Sequence, residues 1–307
     1  MSRTTDDPKA RVFKFCGPSA HALQNLENGQ IFCQHHGAYN DPFEFWSTIS
    51  SGIPDPDREP ERYLAALQAW GFDCRTVAEA KADELIQGSV DDYFDECQHY
   101  ALPFEAMRQG MRISCFSSEA DNLLLWSHYG DGLRGFCIGF DEDVITHGDK
   151  AAYVLDVAYS HAPPQVDSFI YGVAWDQDWY SQTAIEESER AIRYQGKTDR
   201  QGEIAMYEES GEQALRAMRE IWQKVFATKP AEWSYERERR LLVQTDREDA
   251  SPILRRYDRA AVKEVILGER MPEDYRSGLL AVMEKNHADI PVRTARRSAG
   301  SYTLVIE

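Results

Sequence analysis

Met111-Arg-Ile-Ser-Cys-Phe-Ser117 and Gly135-Phe-Cys-Ile-Gly-Phe-Asp141 flank a Leu-rich stretch, Asp121–Tyr129, and a glycine loop. Both outer runs are short, apolar and bounded by turn chemistry, so they read as strands, with Asp121–Tyr129 a short helix between them. Working outward, Val12–Cys16 has the alternation of a strand, and Ser19 then offers a helix N-cap. Leu23 and Leu26 form that helix's stripe, Gly29 stops it, and Ile31–Cys33 returns as a strand. On the other side, Ala152–Ser160, Glu236–Thr245, Val262–Leu267 and the ends near Val292 and Tyr302–Ile306 read as strands, with a helix over Pro272–Asn286. The spacing predicts an α+β fold: a mixed, mainly antiparallel twisted sheet with helical insertions at about 54–110 and 180–228, in one domain over 11–307. In the first insertion, Pro60 suits a first helical position and Gly71 a stop, while Thr76 with Glu79 is a capping box. Leu64, Leu67 and Trp70 are its expected inner face, and residues 165–180 carry many aromatics with no clear period.

The 307 residues are 42% hydrophobic and 28% charged, enough to bury a core. A formal charge of −18 repels a phosphate backbone, which argues against a general nucleic-acid coat and leaves room for an enzyme that visits one through a local patch. No run approaches the roughly 20 apolar residues of a membrane span, and the N-terminus has no apolar leader. The six cysteines are dispersed without a CxxC pair, so the expectation is a reduced, cytoplasmic protein that makes no membrane contact.

Chemistry concentrates at Trp233-Ser-Tyr-Glu-Arg-Glu-Arg-Arg-Leu-Leu-Val243. On a strand, Glu236, Glu238 and Arg240 share one face, and two like carboxylates at i and i+2 repel, which raises one pKa. By that reasoning Glu238→Gln changes stability little. The pattern fits a carboxylate site facing a cleft, and equally an exposed strand whose arginines are ion-pair partners. Asn40-Asp41-Pro42-Phe43-Glu44 reads as an Asx turn before an aromatic. Trp126, His128 and Tyr129 put three rings in four residues, and Ser117 ends a strand. His35 and His36, as strand neighbours, point to opposite faces and cannot share a metal. No metal-ligand spacing or phosphate loop occurs, so neither a metal nor a glycine-rich nucleotide site is expected.

Taken in order, these motifs are recognisable: Lys14-Phe15, Asn40–Glu44, Ser114–Ser117, Trp126–Tyr129, Gly135–Asp141, Trp233–Arg240 and Glu264-Val-Ile-Leu-Gly268. Over about Val12–Ile306 the chain resembles the bacterial family named domain of unknown function 2971. More remotely it is similar to ADP-ribosyltransferases, which carry a basic residue on the first strand, a serine-bearing strand, and Glu-x-Glu late in the chain. That resemblance implies NAD as substrate and puts Lys14, in place of the usual Arg or His, at the diphosphate. Ser117 takes the second position, and Glu238 stabilises the ribosyl cation, with Glu236 two residues earlier acting on the acceptor. Phe43 or Tyr129 would stack on nicotinamide, and Asn40, Asp41, Trp126, His128 and Arg240 complete the implied cofactor-binding set.

The implied activity is transfer of ADP-ribose to a nucleic acid or protein, in phage defence, toxin action or stress response, with an antitoxin or regulator as a further partner. Two alternatives stay open. One is a non-enzymatic sensing or interaction module whose cleft is formed by Asn40–Glu44 and Trp126–Tyr129. The other is a metal-dependent nucleic-acid hydrolase built on Asp41, Glu44, Glu236 and Glu238.

Overall fold

The computed structural model describes residues 11–88, 90–100, 104–146 and 151–307. They form two compact units, one of segments 11–45, 106–161 and 229–307, the other of 46–105 and 162–228.

The first unit is built on ten strands: β1 Arg11–Cys16, β2 Gln30–His35, β3 Met111–Ser117, β4 Phe136–Asp141 and β5 Ala152–Asp156, then β6 Glu238–Gln244, β7 Ile253–Arg256, β8 Val262–Gly268, β9 Val292–Arg297 and β10 Leu304–Ile306. Their order is β7-β2-β3-β1-β4-β8-β9-β10, with β6 lying between β3 and β5. All pairs are antiparallel except β8 with β9. The α+β class and the mainly antiparallel sheet are therefore as the sequence pattern predicts.

Alternation explains why the central strands read as continuous apolar runs. Phe136, Ile138 and Phe140 of β4 and Val265 and Leu267 of β8 join one apolar layer, which also takes Leu26 from the helix Ala20–Asn28 and Leu279, Val282 and Met283 from the helix Glu273–Asn286. Cys137 and Ile266, pointing the other way, join a second layer with Phe13, Trp126 and Leu133. Two covered faces leave no polar alternation to read. Gly135 is required by backbone approach: a Cβ there would stand 2.0 Å from the Cys16 carbonyl oxygen.

Three elements of this unit differ from the sequence expectation. The strand expected over Ala152–Ser160 is broken after Asp156, and Ala158–Ser160 is a separate short strand in another sheet. The short edge strand β7, which pairs with β2, carries too little apolar pattern to be read from Ile253-Leu-Arg-Arg256 alone. The strand expected over Glu236–Thr245 begins two residues later: Glu236 ends a 3₁₀ turn over 231–236, and Arg237 turns left-handed (φ +46°) before β6 begins at Glu238.

The second unit is mainly helical. Pro60 does open a helix, Pro60–Trp70, which Gly71 ends in the left-handed region, and the Thr76–Glu79 capping box forms. Tyr63, Ala66 and Leu67 are its buried face, with Leu64 only half-buried. The helix Ser168–Gln195 starts earlier than periodicity indicates. Asp167 caps it, accepting from the Phe169 and Ile170 amides, and Phe169, Tyr171, Gly172, Val173 and Ala174 are buried all round, which erases the 3.6-residue period. It runs beside Gln201–Phe226, where Gly211 admits Ser181. Among the described residues no helix is long and apolar enough to cross a membrane.

Candidate active site

β3 is bonded to β6 along its whole length, with Glu238 opposite Ser117 and Gln244 opposite Met111. Its other edge is shared: β2 pairs at Arg112 and Ile113, and β1 pairs at Ser117. β1 and β2 thus diverge across Ser114–Phe116, and a cavity of about 320 Å³ is lined by Lys14 and Phe15 of β1, Phe32 and Gln34 of β2, and Cys115–Ser117 of β3. The fork deprives two β3 carbonyls of ladder partners. Side chains replace them: Lys14 Nζ donates to Cys115 O at 3.0 Å, and Tyr39 Oη donates to Ile113 O at 2.8 Å. An ammonium carries three donors, so Lys14 retains donors beyond that bond.

The cavity also meets Tyr39, Asn40, Tyr129, Lys229, Glu236 and Glu238. Behind it runs a buried ionic chain. Glu44 accepts from Arg240 Nη1 at 2.6 Å, and Arg240 Nε donates to Glu238 Oε1 at 2.8 Å. Glu238 Oε2 lies 2.7 Å from Lys229 Nζ, which donates to Glu236 Oε2 at 2.8 Å, and Tyr129 Oη closes the chain on Glu236 Oε1 at 2.7 Å. Lys229 comes from the short strand Thr228–Pro230 and lies over the Trp233 ring, 5.3 Å from its centroid. The kink at Arg237 brings Glu236 to the same ammonium as Glu238 without a shared strand face.

Burial (3% exposed) works against a charged Glu238, but Arg240 and Lys229 outweigh it and hold the carboxyl at about 2. The expected repulsion between the two glutamates is thus overturned by the cation between them. Burial pushes the Glu44 carboxyl up, against Arg240 and Lys229. Lys229 is disfavoured as an ion by burial, yet Glu238 and Glu236 keep it charged. Burial and the bond to Glu236 push the Tyr129 hydroxyl up, so it stays a donor. Burial, then Glu238, pushes the Cys115 thiol up as well, which removes it as a thiolate nucleophile.

Of the residues singled out from sequence, Lys14, Asn40, Ser117, Tyr129, Glu236 and Glu238 line this one cavity. The others do not. Trp126 is fully buried, its Nε1 donating to Ala120 O at 2.8 Å and its ring edge-on to Phe15, so it is a core residue. His128 is exposed on the surface near Tyr235, outside the lining, and Phe43 is 50% exposed, also outside it. Asp41 makes the expected Asx turn, accepting from the Phe43 amide at 2.9 Å, and is buried away from the cavity. Arg240 is fully buried and holds carboxylates instead of facing the cavity. The Ser117 hydroxyl donates to Glu236 O at 2.8 Å, which anchors the 3₁₀ turn.

Lys229 and Tyr39 carried no local signal: a lone lysine before a proline is ordinary, and only the fold carries it to Glu236 and Glu238, while Glu44, read as part of the Asn40–Glu44 turn, meets Arg240 on the buried side. His35 and His36 also differ from expectation. β2 ends at His35, so the rings meet with centroids 4.1 Å apart, and His35 is bonded to Gln109 and to the Gly37 amide. Among the described residues, no group of three or more His, Cys, Asp or Glu side chains is gathered as a metal site.

A curled, mainly antiparallel sheet with a charged cavity in its fork defines an α+β protein whose chemistry-bearing groups meet only through tertiary structure. Residues 125–241 match a family described as protein of unknown function, DUF2971, which supports the family likeness read from the motifs. The matched stretch holds Tyr129, Lys229, Glu236, Glu238 and Arg240, and is shorter than the span of motifs read from the sequence. No curated protein and no solved structure matches the chain.

Proposed function

We infer that the cavity is the site of glycosyl transfer from NAD to a nucleophilic acceptor. The observation that carries this reading is Glu238: a carboxylate on the cavity wall, almost fully buried, and kept ionised by Arg240 and Lys229. Cleaving the nicotinamide–ribose bond sends its electron pair to the nicotinamide nitrogen and leaves positive charge on the ribose. A preorganised, desolvated anion beside C1′ is the group that lowers such a barrier. The acceptor's lone pair then bonds C1′, and its proton passes to Glu236. The cavity lining carries two cations, Lys14 and Lys229, and two anions, Glu236 and Glu238, which suits a ligand bearing both a pyridinium and a diphosphate. Phe15, Phe32, Tyr39 and Tyr129 supply aromatic wall for the ring. Its 320 Å³ sits at the small end for ligand pockets and fits one half of a dinucleotide, with the other half outside.

One observation favours a second reading. Both oxygens of Glu236 and of Glu238 are already bonded to Tyr129, Lys229 or Arg240, as in a rigid binding floor that senses a ligand without turning it over. Nicotinamide release, followed by mass spectrometry with nucleic-acid and protein acceptors present, separates the two. Transfer predicts release that falls roughly 10²–10³-fold in Glu238→Gln. Undiminished release by a folded variant, or NAD binding without release, removes the transferase reading.

A further inference from the structure

The helical unit holds a second cavity, of about 720 Å³, whose lining is unlike that of the first. Its lining includes Trp70 at the end of the helix Pro60–Trp70, Phe72 just beyond it, and Tyr93 of the helix Val90–Cys97. It also includes Tyr180 of the helix Ser168–Gln195 and Tyr207 of the helix Gln201–Phe226. Trp70 stacks on Tyr93 (3.9 Å between centroids, 13° between planes), whereas Phe72 stands at 75° to Trp70 and Tyr207 at 76° to Tyr180. Rings in crossed orientations can touch a roughly tetrahedral group from several directions at once, which a parallel stack cannot.

The charge of the lining has one sign. Asp176 and Glu209 border the cavity, and among the described residues that line it none is Lys, Arg or His. Burial pushes the Asp176 carboxyl up, against the Tyr93 hydroxyl, and a cation beside it would favour its charged form. Tyr180 is 51% exposed and Met206 55% exposed, so the site is open to solvent. Five aromatic side chains beside two carboxylates, without a basic residue, repel anions and attract a weakly hydrated organic cation.

We propose that this cavity binds an alkylated ammonium group of the trimethylammonium type. The ring faces contact the methyl groups, while Asp176 and Glu209 balance the charge. A primary ammonium is more strongly hydrated and gains less from the rings. The site lies wholly in the helical unit and does not depend on the NAD reading of the sheet cavity.

The test uses the full chain, titrated with choline and with 3,3-dimethylbutanol, its neutral isostere of the same shape. Binding is read by calorimetry and by tryptophan fluorescence. Choline should bind at least about tenfold tighter than the isostere, and a Tyr180→Ala/Tyr207→Ala double variant should lose about tenfold or more. Both tyrosines are partly exposed, so the double variant is expected to fold, and Glu209→Gln, on an exposed residue, should show a smaller loss. A trimethyllysine peptide is titrated alongside. Binding more than tenfold tighter than choline marks a cation presented by a protein, and similar or weaker binding marks a free small molecule. No choline binding at tens of millimolar, equal binding of the isostere, or unchanged affinity in a folded double variant each overturns the proposal.

Discussion

Replacing Glu238 by Gln tests the buried ionic chain most directly. The Glu238 carboxyl is held at about 2 against a usual glutamate value of 4.5, a difference worth about 3 kcal/mol at 1.36 kcal/mol per pKa unit. A similar figure, roughly 3–5 kcal/mol, follows from removing one member of a buried ion pair, and Gln keeps enough hydrogen bonding for the lower end. Because the folded-state pKa is depressed, the contribution is fully present above about pH 4.5 and is lost as pH falls through about 2. Urea unfolding should therefore show the variant less stable by about 3 kcal/mol at pH 7 and by only about 1 kcal/mol at pH 3. Glu44 titrates in the opposite sense, and because the Glu238 charge helps push it up, the variant also relieves part of that shift, which trims the gap at pH 7 without removing it. A variant as stable as the parent at pH 7, or a gap that stays constant down to pH 3, would refute the argument. That outcome is what the sequence pattern alone favoured, since it placed two like charges face to face.

Lys229→Met removes the ammonium bridging Glu236 and Glu238 and should cost about 3–5 kcal/mol in urea unfolding. In the same variant, an NMR titration should find the Glu238 carboxyl well above about 2. Arg237→Gly should stabilise by about 1 kcal/mol, because the arginine occupies the left-handed region at φ +46° and its side chain is exposed; a lower melting temperature would contradict this. Gly135→Ala should destabilise by about 3 kcal/mol or more, because the new Cβ meets the Cys16 carbonyl oxygen at 2.0 Å; a soluble variant melting like the parent would show that the two segments can separate.

Local chemistry was legible wherever one segment supplies its own cause. The Ser19 cap and Gly29 stop, the Thr76–Glu79 box and the Asp41 turn each form from residues within a few positions of one another. The strands around Met111–Asp141 were readable for the same reason, and with them the α+β class. The start of Ser168–Gln195 was not, because its first turns are buried on every side and carry no period.

The sequence by itself singled out Asn40, Asp41, Phe43, Ser117, Trp126, His128, Tyr129, Glu236, Glu238 and Arg240, and the resemblance added Lys14, as candidate site residues. It also carried the family likeness that residues 125–241 confirm. Tertiary structure alone decided what those residues do to one another. Trp126 left the site because the second apolar layer closes over it, and Arg240 left it because Glu44, 196 positions away, meets it on the buried side. Lys229 entered because a short strand carries it between two glutamates, turning an expected repulsion into a depressed pKa at Glu238. Period and propensity are properties of neighbours along the chain, whereas the energy of a buried charge depends on which distant charges the fold sets within about 3 Å of it.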